Sequence, residues 1–226
     1  MATKKNEPQE QTTLDNLNNT LTSAGESIVK NSKALSWGIG AVVIVALAII
    51  AYVFFVHKPN VEKSNNAFNN VEITAAGNDS IAVAEYQKVA DEFGGTDGGN
   101  LAALAAGERL YDMGKYEEAL KYLLQFDSKE DVIMANAQCL IGDCYVNLQK
   151  YEDAISYFDK AIGLAEGNEA LVPRFLDKKA TVYDELKQYD KALQCYETIK
   201  AEYPEYGNGN YAVDAYISRE NVRLGK

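Results

Sequence analysis

The sequence predicts an all-α chain, in which a single N-terminal transmembrane helix precedes an α-solenoid of stacked helical hairpins. Two observations predict this architecture. Residues 34–56 form an apolar run without a charged side chain over 23 positions. After residue 98, one pattern of small, aromatic and aliphatic residues occurs three times. Both features have the spacing of helices.

The apolar run is long enough to cross a membrane. At a rise of about 1.5 Å per residue it spans a hydrocarbon core of about 30 Å. Trp37 and Tyr52 lie near its two ends, where aromatic rings favour the headgroup layer. A leader of 33 residues precedes the run, which itself exceeds the roughly 7–15 residues of a signal-peptide core, so we expect an uncleaved anchor.

Residues 1–33 form a polar tail with one apolar seam. The seam consists of Leu14, Leu17, Leu21 and Ile28, which share one face of a helix. A short helix lying on the membrane or on a partner explains this spacing. A frayed polar tail rich in Asn, Thr and Ser also fits, and no basic face accompanies the seam.

Charge is distributed unevenly along the chain. The net charge is −11, whereas the four lysines and four acids of the tail cancel, so the whole net charge follows the anchor. An acidic domain repels phosphate backbones, so we do not expect nucleic acid as a partner. Lys30 and Lys33 before the anchor balance Lys58 and Lys63 after it, so the positive-inside rule leaves the orientation open.

Few residues could support catalysis or metal binding. The three cysteines, Cys139, Cys144 and Cys195, are too few and too scattered for a disulfide framework, and we expect them to be buried. His57, beside the membrane, is the single histidine, so neither a His-based metal site nor a catalytic triad is available. We therefore expect no enzyme, no cofactor and no metal.

The repeats are evident when three segments are aligned. They are GERLYDMGKYEEALKYL from Gly107, GDCYVNLQKYEDAISYF from Gly142 and ATVYDELKQYDKALQCY from Ala180. Each starts with a small residue and has alanine twelve positions later (Ala119, Ala154, Ala192) and a large side chain sixteen positions later. Small residues allow two helices to cross closely, and stacking of hairpins buries their apolar faces. The pattern resembles the tetratricopeptide repeat (TPR).

Two further units extend the array. The segment IAVAEYQKVADEFGG, which includes Ala82 and Tyr86, matches the second helix of the last repeat. The first helix of this degenerate unit is expected near residues 61–76.

The predicted organisation is a tail (1–33), an anchor (34–56), a linker with a degenerate TPR (57–97), TPR repeats (98–205) and a capping helix (206–226). We expect residues 94–100 to be the loosest stretch and residues 208–210 to form a turn before the cap.

The TPR resemblance also implies a binding site. In such arrays the first helices of successive units line a concave groove that binds partner segments. The resemblance places nine residues there, namely Leu104, Glu108, Tyr111, Cys139, Asp143, Val146, Asp177, Thr181 and Asp184. Since acids recur at equivalent places while the matching cations fall elsewhere, we expect one negative strip with apolar spots. A merely solvated acidic face is the alternative.

The order of parts carries a second resemblance. The stretch NSKALSWGIGAVVIVALAIIAYVFF, followed by SNNAF and a TPR array, resembles the YfgM-like family of ancillary Sec-translocon subunits. This resemblance implies a single-pass protein of the bacterial inner membrane with a cytoplasmic N-terminus and a periplasmic array. Its expected partners are translocon subunits, chaperones or nascent exported chains.

The sequence therefore predicts a membrane-anchored adaptor that mediates protein–protein interactions at the cell envelope. Two alternatives remain at this point. One is a structural scaffold that self-associates through its tail or solenoid, and the other is an import-type receptor with its TPR array in the cytosol.

Overall fold

The computed structural model describes residues 18, 20–22, 32–75 and 77–226. The chain forms two compact units, which meet in sequence between Pro59 and Asn60. Leu21 is exposed; the other residues of the apolar seam in the tail lie outside the described residues. Every regular element in the described part is helical, which confirms the predicted all-α fold.

The first unit contains helix α1, Ser32–Tyr52, followed by a π-helical segment, Val53–His57. Within the described part of the chain, one helix is long and apolar enough to cross a membrane, and none of its most apolar window is buried. The sequence did not predict the π-helical segment. The Tyr52 and His57 rings stack across it at 6.4 Å, and the Lys58 ammonium lies 4.4 Å from the centre of the Phe54 ring.

Helical hairpins and a final helix make up the second unit. The helices are α2 (Lys58–Thr74), α3 (Asp79–Glu92), α4 (Asp97–Asp112), α5 (Tyr116–Leu123), α6 (Asp131–Asn147), α7 (Tyr151–Leu164), α8 (Leu171–Glu185), α9 (Tyr189–Glu202) and α10 (Tyr206–Arg223). The pairs α4/α5, α6/α7 and α8/α9 are the three predicted repeats. The pair α2/α3 is the degenerate repeat, and its helices are joined by the Phe68 and Tyr86 rings, 5.6 Å apart.

The prediction of a loose stretch at residues 94–100 was wrong for its second half. Asp97–Asn100 form the first turn of α4. Thr96 caps this turn: its Oγ1 accepts a hydrogen bond from Gly99 N–H at 3.2 Å and donates to Phe93 C=O at 2.7 Å. Gly98 and Gly99 are buried. The neighbouring backbone lies so close to both that a Cβ at either position would overlap it. The glycines therefore serve close packing rather than looseness.

All three repeats turn in the same way. Gly114, Gln149 and Lys187 occupy equivalent positions after the first helix of each repeat and have φ of 74°, 58° and 58°. In each turn the next residue donates its N–H to a carbonyl five positions back, at 2.9 Å, as in Lys115 to Leu110. This left-handed ending is common at helix C-termini and usually takes glycine. Only the first repeat supplies one.

The small residues lie where the two helices of a hairpin cross, as the sequence predicts. A Cβ on Gly107 would lie 2.5 Å from Leu123 Cγ, and a Cβ on Gly142 would lie 2.6 Å from Phe158 Cε1. Their partners in the alignment, Ala119, Ala154 and Ala192, are fully buried. In each repeat the small residue of the first helix faces the large residue sixteen positions later, so the large side chain fills the space that the small one leaves.

The C-terminal helix begins at Tyr206, so the turn predicted at residues 208–210 was wrong. Residues 208–210, expected to form a turn, lie inside α10. The chain turns before them, where Tyr206 N–H donates to Tyr203 C=O at 3.0 Å beside Pro204. Val213 of α10 is buried with Tyr196 and Ile199 of α9, so the helix covers the end of the last repeat. The predicted burial of the three cysteines is confirmed.

Candidate protein-binding face on the first helices

The residues predicted to line a groove lie on α4, α6 and α8, the first helices of the three repeats. We call one set of solvent-accessible side chains, on the same side of these helices, the first-helix face. On α4 it contains Leu101, Leu104, Glu108, Tyr111 and Asp112; on α6 it contains Ile133, Asn136, Leu140, Asp143 and Val146; on α8 it contains Arg174, Asp177, Lys178, Thr181 and Asp184. The spacings of three and four within each set place its members on one side of a helix.

Eight of the nine predicted residues reach this face to some extent. Glu108 and Thr181 are exposed, and the other six are half-buried. The exception is Cys139, which is only 4% exposed. Cys139 was predicted to contact a partner, and this was wrong because its side chain packs in the core with Phe158 and Phe175.

Leu104 and Tyr111 of α4 and Leu140 of α6 flank the same buried cluster. The aromatic ring of Tyr111 also contacts Tyr116, with centroids 5.5 Å apart. The apolar part of the first-helix face therefore belongs to α4 and α6. Leu101 and Ile133, at the beginning of these helices, expose 45% and 46% of their surface, and sequence reasoning did not single them out.

Asp143 of α6 and Asp184 of α8 are paired with cations, so the predicted uncompensated strip was wrong for these two of its acids. Lys178 donates to both carboxylate oxygens of Asp143, at 2.8 and 2.9 Å. Asp184 pairs with Arg219 and, at 3.2 Å, with Arg223 of α10. Lys178 and Arg219 each follow their acid by 35 residues. The second and third repeats are 38 residues apart, from Gly142 to Ala180, so alignment of the repeats does not place Lys178 beside Asp143.

Burial raises the pKa values of the predicted acids. Burial is the main cause for Asp143, whose pKa stays raised although Lys178 acts to lower it. Burial also raises the pKa of Asp177, against the hydroxyl of Tyr206 at 3.5 Å. The pKa of Asp184 is raised by burial and by the neighbouring carboxyl of Glu220. Ionising these groups therefore costs more here than in water.

Glu220 belongs to a buried charge network between α8 and α10. Its side chain has no exposure, and it accepts hydrogen bonds from Arg219 Nε at 2.5 Å and from Arg223 at 3.1 Å. Burial acts to raise the pKa of Glu220, but the hydrogen bonds from the two guanidinium groups act to lower it, and the pKa is lowered. The network holds the final helix against the last repeat.

Metal-binding groups and the Cys139 thiol are the features that bear on chemistry in the described part of the face. Among the described residues, no group of three or more His, Cys, Asp or Glu side chains is placed to hold a metal ion. Burial raises the pKa of the Cys139 thiol to about 12, and Asp143 adds to the increase. A thiol with such a pKa is protonated at neutral pH and therefore unreactive. What the face offers is a contact surface of apolar and charged side chains.

Comparison with known proteins agrees with this architecture. Residues 133–201 match the family model of the tetratricopeptide repeat, a range that runs from the first turn of α6 almost to the end of α9. No curated protein matches the chain in sequence.

Solved structures share the fold. The crystal structure of MamA protein is 21% identical, with a TM-score of 0.56 over 74% of this chain and 83% of that one. Nearly identical TPR-like repeats of a kinesin light chain from Podosopora anserina are 13% identical, with a TM-score of 0.55 over 74% of this chain and 86% of that one. At these identities the likeness concerns the fold alone. The chain thus contains tetratricopeptide repeats and has the fold of a TPR solenoid.

Proposed function

We propose that this protein is a membrane-anchored adaptor, which holds other proteins at a membrane through the first-helix face. The single observation that carries the proposal is the presence of exposed Leu101 and Ile133, beside charged side chains, on successive TPR first helices. Exposed apolar side chains on neighbouring helices offer a surface for a partner, and larger apolar patches usually mark interaction sites. In this proposal the protein acts by binding and not by catalysis.

Anchoring rests on the apolar helix. Residues 34–56 carry no charge, and the large side chains of α1, from Trp37 to Tyr52, are exposed to at least half of their surface. Exposure of such a helix to water is strongly unfavourable, because removing each methylene group from water contributes about 0.8 kcal/mol of favourable free energy. Insertion into a bilayer removes this cost.

The finer part of the proposal concerns location and partners. We place the protein in a bacterial inner membrane as a single-pass protein, with a cytoplasmic tail and a periplasmic TPR domain. Its partners in this proposal are translocon subunits, periplasmic chaperones or nascent exported chains. The resemblance of the anchor and the order of parts to the YfgM-like family supports this choice, and the acidic TPR domain argues for protein rather than nucleic acid as partner.

Crosslinking in the membrane tests the adaptor role. A photocrosslinker placed at Leu101 or Ile133 of the full-length chain should capture specific proteins, and the same crosslinker at Glu197, exposed on α9, provides the control. Capture of translocon or chaperone subunits from the first-helix face only is the expected result. Equal capture from all three positions, or from an anchor-only chain, would contradict the proposal.

Protease accessibility tests the orientation. In cells with a permeabilised outer membrane, added protease should digest the TPR domain if it is periplasmic. Protection of the domain would instead indicate a cytosolic array and the topology of an import-type receptor.

A further inference from the structure

Equivalent acids on the first-helix face differ between repeats in whether a cation pairs with them. Asp143 follows the small residue Gly142, and its cation, Lys178, precedes the small residue of the next repeat by two positions. The equivalent acid one repeat earlier is Glu108, which follows Gly107. The residue that corresponds to Lys178 is then Leu140. The arrangement that neutralises Asp143 is therefore missing for Glu108.

Glu108 has a second acid as its neighbour. Asp112 lies one turn further along α4, and two like charges at this spacing destabilise a helix. Neither carboxylate has an ion-pair partner within 4 Å among the described residues. The pKa of Glu108 is raised by burial and then by Asp112, although the neighbouring Arg109 acts to lower it. In the free protein the charges of this pair are thus incompletely compensated.

Apolar side chains lie on both sides of these acids. Leu104 precedes Glu108 by one turn on the same face of α4, and Leu101 precedes it by two turns. On α6, Leu140 packs against the cluster that Leu104 flanks, and Ile133 is exposed near the start of the helix. The surface is therefore apolar around two neighbouring acids, Glu108 and Asp112, in contrast to Asp184 on α8, which pairs with Arg219 and Arg223.

We propose that the α4 part of the first-helix face binds a protein segment in which lysine or arginine is flanked by apolar side chains, with Glu108 and Asp112 as the acceptors of the cation. This inference rests on the proposed function and specifies the partner's chemistry. A positive side chain of the partner forms an ion pair with Glu108, as Lys178 does with Asp143. The apolar side chains beside it contact Leu101, Leu104 and Ile133, and charge complementarity fixes the register of the segment.

The experiment uses the full-length chain in phosphatidylcholine nanodiscs and a fluorescent twelve-residue peptide, in which two lysines are flanked by leucines. A second peptide carries glutamine in place of lysine, and empty nanodiscs measure adsorption to lipid. Glu108→Gln combined with Asp112→Asn should weaken binding of the lysine peptide about three- to tenfold at low salt, as expected for the loss of exposed charge contacts. The same variant should bind the glutamine peptide as the wild type does.

Matched variants separate the possible failures. Glu85→Gln with Glu197→Gln removes two exposed acids from second helices, and it should leave binding unchanged. Leu101→Ser with Ile133→Ser removes exposed apolar contacts without touching the core. If this apolar variant loses binding whereas the Glu108/Asp112 variant does not, the charge inference is overturned and the adaptor proposal stands. If neither variant affects binding, both are overturned.

Discussion

Lys178 on α8 donates hydrogen bonds to both carboxylate oxygens of Asp143 on α6, at 2.8 and 2.9 Å. The pair joins the first helices of two successive repeats, and Asp143 is only 16% exposed in its side chain. The ion pair therefore holds two stacked repeats together and also neutralises one acid of the first-helix face. A carboxylate in this position depends on its cation, because an unpaired buried charge is costly.

Removal of the cation should destabilise the domain. Lys178→Met leaves Asp143 without a partner, and we expect the free energy of unfolding to fall by about 1 kcal/mol, a value reduced by the partial exposure of Lys178. Denaturant unfolding of the full-length chain in detergent measures the change. Lys88→Met, at an exposed position on α3, is the control.

The same pair allows a double-mutant test. If Asp143→Val is added to Lys178→Met, the stranded charge disappears and two apolar side chains take the place of the pair. Stability should then return to the wild-type value or exceed it, since apolar replacement of a poorly solvated ion pair is often neutral or favourable. Additive losses in the double mutant would show that the pair contributes through something other than its charge.

The repeat architecture could be predicted from the sequence because packing determined it. Gly142 and Ala154 have no room for larger side chains, so their spacing appears directly in the sequence. The ion pairs were not predicted, since a pairing across two repeats depends on how the helices stack and not on the pattern within one repeat. The burial of Cys139 was predicted, but its place in the groove, which came from the TPR resemblance, was wrong. Leu101 and Ile133 fall outside the aligned segments, so the alignment gave them no role.

A second prediction concerns the crossing of α6 and α7. Gly142→Ala would place a Cβ 2.6 Å from Phe158 Cε1, and Phe158 is fully buried, so the ring cannot move away freely. Overpacking costs about 1–3 kcal/mol, from which up to about 1 kcal/mol is recovered through the better helix propensity of alanine. We expect a net loss of about 1–2 kcal/mol in thermal or denaturant unfolding.

Gly163→Ala is the matched control for this prediction. Gly163 lies in α7, and a Cβ there would meet no atom within 4 Å. Alanine should therefore raise stability by up to about 1 kcal/mol. Opposite signs for the two substitutions support the packing account, whereas a gain in both would mean that α6 and α7 are further apart than described.

A third prediction concerns the turns between paired helices. Gln149 adopts φ of 58°, a conformation that costs a non-glycine residue about 1 kcal/mol. Gln149→Gly should raise the free energy of unfolding by about 0.5–1 kcal/mol, part of the gain being lost to the larger entropy of the unfolded chain. The converse change, Gly114→Gln, should lower it. A loss from Gln149→Gly would show that the glutamine side chain stabilises the turn more than its backbone strains it.

The pKa of Glu108 leads to a fourth prediction. Burial and Asp112 raise this pKa above its ordinary value, so the folded chain binds more protons than the unfolded chain between the two values. The stability contribution of Glu108 is thus complete below its ordinary pKa and is lost as pH rises through the raised value. Asp112→Asn should lower the pKa of Glu108 in a carboxyl NMR titration. An unchanged pKa would remove Asp112 as a cause.

The last prediction concerns the buried network that fixes α10. Glu220 has no exposed side-chain surface and accepts hydrogen bonds from Arg219 and Arg223, which also pair with Asp184. Glu220→Gln keeps the shape but removes the negative charge, so two guanidinium groups then share one carboxylate. We expect a loss of about 1–3 kcal/mol, because hydrogen bonds to charged groups are strong and one partner is fully buried.

Hydrogen exchange locates this effect. In Glu220→Gln, amide protection should fall first in α10 and at the end of α9, where Ile199 packs against Val213, while α4 and α6 keep theirs. Such a local loss is expected in a repeat array, since each repeat contacts mainly its neighbours. Equal loss of protection throughout the second unit would show that its repeats unfold as one cooperative body, and that the network stabilises the whole array rather than its cap.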